Sequence, residues 1–253
     1  MFMKVFMGIA MVMATFCWGP GRASAETELL VSAASSLTDS FKEIGKAYET
    51  KNPGVIVRFN FAATGPLLQQ IEQGAPVDLF AAADQQSMDK AEKGSFILPG
   101  SRTDFTGNAL VLISPVNMSV VKGLADLQSA QVLKVSMGNP ESVPVGRYTK
   151  AALEKQGMWE AVAPKCVMGS SAKQALEYVM RGEVEAGFVF ATDAVAVKDK
   201  VQVVAEIATA KPIVYPVAVV AASAKQEQAQ AFIRYLKGAE GQAVLTKYGF
   251  KKI

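Results

Sequence analysis

Four places in the chain set a short turn between an apolar run and the start of a helical pattern: Ser36, Thr64, Val145 and Ser171. The chemistry on offer at such a turn is anion binding, because the first N–H groups of a helix lack intrahelical acceptors and carry the positive end of its dipole. One such site proves nothing. Ser and Thr are the usual N-caps, and Ser36-x-x-Asp39 has the spacing of a capping box, so Ser36 alone reads as a helix start. Four turns of the same kind point to a shared ligand.

The residues around those turns narrow the ligand. No histidine occurs in the 253 residues, which excludes Ser-His-Asp and Cys-His catalysis and His-ligated metal sites. No Gly-x-Ser-x-Gly elbow is present either. The cap positions carry hydroxyls and backbone N–H groups but no Arg or Lys, an inventory suited to a compact, acceptor-only dianion. A carboxylate or sugar phosphate more often draws a bidentate Arg. Arg147 lies within a turn of one candidate donor and reads as a solvated charge on a helix surface. A protonated phosphate needs an acceptor as well; Asp39, Glu141 and Asp193 are near the turns, but Asp39 is better explained as a capping partner.

The elements that must position the turns alternate between strand and helix, the pattern of parallel sheets built from βαβ units. The first helix carries Leu37, Phe41, Ile44 and Tyr48 on one face and stops at Asn52-Pro53-Gly54. Strands are expected at 55–61, 78–82, 109–114, 132–137, 166–168, 187–190, 201–205 and 213–220. Thr64 starts a helix with Pro66 in its first turn, Asp84 caps the helix over 85–93, and Pro144 precedes the helix over 145–156. Ser171-x-x-Gln174 matches a capping box, and Thr192 with Asp193 reads as a further cap. Two βα groups with a return crossover imply an α/β protein of two lobes around a cleft, with the crossings near 108–111 and near Tyr215.

The first residues read as a leader. Lys4 precedes an apolar run from Val5 to Trp18, and Ala23-Ser24-Ala25 is a small-x-small cleavage site. Phe16 is too bulky for the position before a lipidated cysteine, so Cys17 does not signal an anchor. Cleavage after Ala25 removes Lys4 and Arg22 and brings the net charge from +3 to near +1, which gives no electrostatic case for nucleic acid or a membrane surface. Cys166 is then the one remaining thiol, a small buried hydrophobe in a chain whose stability rests on its core.

Six segments in order resemble the periplasmic molybdate-binding proteins, the ModA family of type II substrate-binding proteins: AASSLTDSF (33–41), FAATGPLLQQIEQGAPVDLFAAAD (61–84), GNPESVPVGRYTKAAL (138–153), GFVFATDA (187–194), YPVAVV (215–220) and YLKGAEGQAVLTKYGF (235–250). The resemblance implies the two-lobed type II fold, each lobe a mostly parallel sheet flanked by helices and joined by two crossover strands. Residues 26–108 with 215–253 would form lobe 1, 109–214 lobe 2, and 1–25 the removed signal peptide. It implies a periplasmic, monomeric receptor, not an enzyme, that binds molybdate or tungstate and delivers it to a membrane ABC permease. No cofactor, resident metal or nucleic acid enters. Carried over position by position, Ser36 and Thr64 supply hydroxyl and amide donors, and Val145 and Ala172 supply backbone N–H groups. Phe190 departs from the pattern, standing where relatives have a Tyr whose phenol donates to the anion; Ser171 or a water is a candidate substitute. The alternative is a receptor for sulfate, chromate, phosphate or a small organic anion.

Overall fold

In the computed structural model, which describes residues 26–118 and 120–253, the chain forms two five-stranded sheets flanked by helices. The leader expected over 1–25 lies outside the described residues. In the first sheet β1 (Thr27–Ala34) runs parallel to β2 (Val55–Ala62) and β3 (Leu79–Ala81), and β10 (Ile213–Val219) then adds antiparallel between β3 and β4 (Thr103–Asn108). The second sheet repeats the plan: β6 (Val135–Gly138) is parallel to β7 (Cys166–Gly169) and β8 (Ala186–Phe190), while β5 (Leu110–Pro115) pairs antiparallel with β8 and β9 (Val201–Ile207). In both, the parallel strands are those followed by crossover helices, and the antiparallel pairs fall where the chain passes between sheets.

Those passages are short. Only Ala109 separates β4 from β5, so Asn108 closes one sheet and Leu110 opens the other. The return runs from β9 to β10, and a bulge between Tyr215 and Pro216 interrupts its pairing with β4. Pro216 has no N–H for the ladder, which is why the irregularity falls there. The sequence misses β4, whose Thr-Asp-Phe-Thr-Gly-Asn composition carries no continuous apolar run; its Phe105 alone is core.

Helix α1 (Thr38–Lys51) buries Phe41, Ile44 and Tyr48 as their spacing predicts and ends before Gly54, whose φ of 90° favours glycine. Its start differs from the expected capping box. A 3-10 turn over Ser35–Leu37 precedes it, Leu37 is the cap residue, and the Ser36 hydroxyl makes no bond to the helix backbone. Thr192 and Asp193 are likewise not caps, since α7 (Ala191–Val195) is capped by Phe190 and holds both inside its first turn. Asp84 does cap α3 (Gln85–Lys93), accepting the Ser87 N–H at 2.8 Å. Beneath the cleft Tyr215 is fully buried, its ring edge-on to Phe105, Phe190 and Phe250 at centroid distances of 6.4, 5.7 and 5.6 Å. Burying an aromatic of this kind stabilises by roughly 1.5–3 kcal/mol.

Candidate functional site

The strand-to-helix turns converge. Ser36, Thr64, Val145, Ala172 and Phe190 line one cavity, together with Ala34, Ser35, Ala63, Ala83, Val143 and Pro144. Its free volume is about 10 Å³, far below the roughly 300–1,000 Å³ of pockets that take drug-sized ligands. A wider hollow of about 360 Å³ lies beside Asp84, Arg147, Tyr148 and Lys211. No lining residue of the small cavity carries a charge.

Each element brings its donor by a local rule. Thr64 opens α2 (Thr64–Glu72), but its side chain does not cap that helix: its Oγ1 accepts the Ala83 N–H at 3.2 Å, which leaves the hydroxyl proton free to donate. Val145 sits in the first turn of α4 (Pro144–Lys155), after Pro144 at the first helical position, where the helix offers its N–H no acceptor. This helix start approaches β6 so closely that a Cβ at Gly146 would lie 2.0 Å from the Gly138 carbonyl oxygen. Ala172 begins α6 (Ala172–Met180), again with a free first-turn N–H. Ser171 caps α6 by accepting the Gln174 N–H at 3.1 Å, while the Gln174 side-chain Oε1 accepts the N–H of Ser170. Ser171 is not among the residues that line the cavity.

Beyond the lining, a buried polar chain reaches Ser36. Its Oγ lies 3.0 Å from the Tyr215 hydroxyl, which takes an N–H from the Asn108 amide at 3.1 Å; the same amide nitrogen donates to Thr192 Oγ1 at 3.0 Å. Burial holds the Tyr215 phenol well above its ordinary pKa, against the opposing pull of Ser36 and Asn108. Asp193 is also close. Its carboxyl is pushed up to about 7, first by burial and partly offset by Lys173 and a backbone bond from Phe190, and one of its oxygens has no partner. Sequence reading could not pair Ser36 with Tyr215, which stands 179 positions away.

The two lobes also touch across the cleft. Gly65 N–H donates to the Ser142 carbonyl at 3.0 Å. Arg147 is not the solvated surface charge its position predicts. Its guanidinium, with 18% of the side chain exposed, bonds to Asp84, whose side chain is 5% exposed, and donates to Ser87 Oγ at 3.0 Å. Arg147 is thus occupied in a cross-cleft ion pair rather than turned to the cavity. Lys173 and Asp39 face each other at 3.5 Å.

Two sheets, helix starts meeting in a small uncharged cavity, and two strand crossings together define a two-lobed solute-binding protein. The model of the bacterial extracellular solute-binding proteins matches residues 29–251. The Escherichia coli molybdate-binding protein ModA is 37% identical over 98% of this chain and 97% of its own. YvgL of Bacillus subtilis, named as a candidate substrate-binding lipoprotein of an ABC transporter, is 38% identical over 88% of this chain and 85% of its own. The periplasmic molybdate-binding protein of Azotobacter vinelandii superposes with a TM-score of 0.76 over 88% of this chain and 98% of its own, at 24% identity, a likeness of fold. The chain belongs to the bacterial extracellular solute-binding proteins and, within them, to the ModA family.

Proposed function

We propose that this protein binds molybdate, and also tungstate, in the cavity between its lobes and hands it to the membrane permease of an ABC importer. The observation that carries the reading is the convergence of Ser36, Thr64, Val145 and Ala172 on one uncharged cavity. A tetrahedral dianion offers only acceptors, and this cavity offers only neutral donors, so every contact is a charge-assisted hydrogen bond. The membership in the ModA family supports molybdate over other oxyanions. The bound metal atom is cargo, not a cofactor, and no step of catalysis is assigned to the site. The protein acts as a monomer.

The lobes run over 26–108 with 215–253 and over 109–214, a division that sheet membership supports except at residues 213 and 214, which belong to β10 of the first sheet, and the signal peptide ends at Ala25. Closure on the ligand proceeds by a hinge at the two crossovers. Phe190 keeps a second reading, a receptor for sulfate, chromate, phosphate or a small organic anion, because its ring brings no phenol to the cavity wall.

A thermal-shift panel separates the two. Molybdate and tungstate at micromolar concentration should raise the melting temperature by mass-action linkage. A shift with sulfate or phosphate alone would move the protein to a sister specificity, and turnover of small esters lost in Ser36→Ala would make it an enzyme.

A further inference from the structure

The hydrogen bonds around Ser36 have a direction that the distances alone do not state. Asn108 Oδ1 accepts the Ala109 N–H at 2.9 Å, which fixes the amide with its NH2 group towards Thr192 and Tyr215. One amide hydrogen goes to Thr192 Oγ1 and the other to the Tyr215 hydroxyl oxygen. Tyr215 therefore accepts on that side, and its single proton is available for its other neighbour, Ser36 Oγ, at 3.0 Å. Ser36 Oγ then accepts from Tyr215, and its own proton is left for the cavity that Ser36 lines. Thr64 reaches the same state by a different partner, the Ala83 N–H.

We infer that Tyr215, with Asn108 behind it, is a positioning residue for the ligand: the pair orients the Ser36 hydroxyl as a donor to the bound oxyanion. The inference rests on the functional reading above and adds a residue that does not line the cavity. Its consequence is cooperative, since a hydroxyl that accepts a hydrogen bond becomes a better donor, and anion binding at Ser36 in turn draws on the Tyr215 proton. It also places one relay member on each of the two crossings, Asn108 at the end of β4 and Tyr215 on β10, with Thr192 of the second lobe held by the same amide. The donor geometry at Ser36 is thereby tied to the strands about which the lobes would turn. The fully buried Tyr215 ring, packed edge-on against Phe190, sets the hydroxyl's position.

The test is a double-mutant cycle by calorimetry with molybdate as the probe, on wild type, Tyr215→Phe, Ser36→Ala and the double variant, each checked for folding by its melting curve. Tyr215→Phe should weaken binding roughly tenfold, the size of losing orientation of one hydrogen bond to a charged group. In the Ser36→Ala background the same change should add almost nothing, because Tyr215 acts through that hydroxyl. Losses that multiply, or no loss in Tyr215→Phe, would overturn the relay while leaving the receptor reading intact. A wild type that binds no oxyanion would overturn both. A measurement on the wild type needs no variant: with tyrosine ζ-carbons labelled for NMR, the Tyr215 hydroxyl proton should move downfield when molybdate is added. An unmoved resonance at saturation would contradict the relay.

Discussion

Ser36 and Thr64 are hydroxyls whose oxygens have partners behind them, Tyr215 and the Ala83 N–H, and on the relay inferred above their protons are available to the cavity they line. Phe190 is the residue at which this wall lacks a donor. Its ring packs edge-on against Tyr148 at 6.3 Å and Tyr215 at 5.7 Å. Phe190→Tyr adds a phenol at the cavity wall, and calorimetry should find molybdate bound about one to two decades more tightly, the worth of a hydrogen bond to a charged group at about 1.5–3 kcal/mol. Unchanged affinity for every oxyanion would show that the phenol has no place to donate. Asp193 gives the residue scale its pH dependence. Burial lifts its carboxyl from 3.8 to about 7, so between those values the folded chain holds a proton the unfolded chain has released. Stability should therefore fall as pH rises through that window and level off above it, by on the order of 4 kcal/mol in all. Asp193→Asn should flatten the slope in denaturant melts from pH 4 to 7.5. Cys166, partly buried and raised to about 11 by burial, should react slowly with thiol reagents at pH 8.

At the scale of elements, the helix starts were legible in the sequence because capping and turn residues are local signals. The helix over 85–93 with its Asp84 cap, the Pro144 start of α4 and the Ser171 cap of α6 are all present. Ser36 misled as a cap for the reason that makes it useful: its hydroxyl is engaged by a residue of β10, a partner no local pattern announces. The strand β4 was illegible because only one of its six residues is a large apolar side chain, and its place in the sheet is fixed by pairing with β10. The start of α2 supplies a prediction of its own. A Cβ on Gly65 would lie 2.6 Å from the Ser142 carbonyl oxygen, the atom that Gly65 N–H bonds across the cleft. Gly65→Ala should hold the helix starts apart and weaken ligand binding by roughly tenfold or more, at an overpacking cost of about 1–3 kcal/mol in the closed form. Its effect on the melting temperature without ligand should be small, since the clash exists only when the lobes meet.

Over the whole molecule, the two sheets and their crossings followed from the alternation of strand and helix, whereas the contacts that hold the lobes together did not. Asp84 and Arg147 stand 63 positions apart, and each has a sufficient local explanation, a cap and a surface charge. In the folded chain the buried Asp84 carboxylate takes both the Ser87 N–H and the Arg147 guanidinium, so the pair acts as a latch on the closed cleft. Arg147→Met removes the latch without altering a cavity-lining residue. Charge-assisted hydrogen bonds of this kind contribute about 1.5–3 kcal/mol, so stopped-flow release of molybdate should quicken by about one to two decades. Association should change far less, because the pair forms only after the lobes meet.

The central claim is that neutral donors from both lobes hold a tetrahedral oxyanion. Calorimetric titration of the protein with molybdate addresses it most directly, with Ser36→Ala and Thr64→Ala run alongside. The wild type should take one molybdate per chain, and each variant should bind at least tenfold more weakly, the loss of one charge-assisted hydrogen bond. Absence of molybdate binding by the wild type, or binding that neither substitution weakens, would contradict the account.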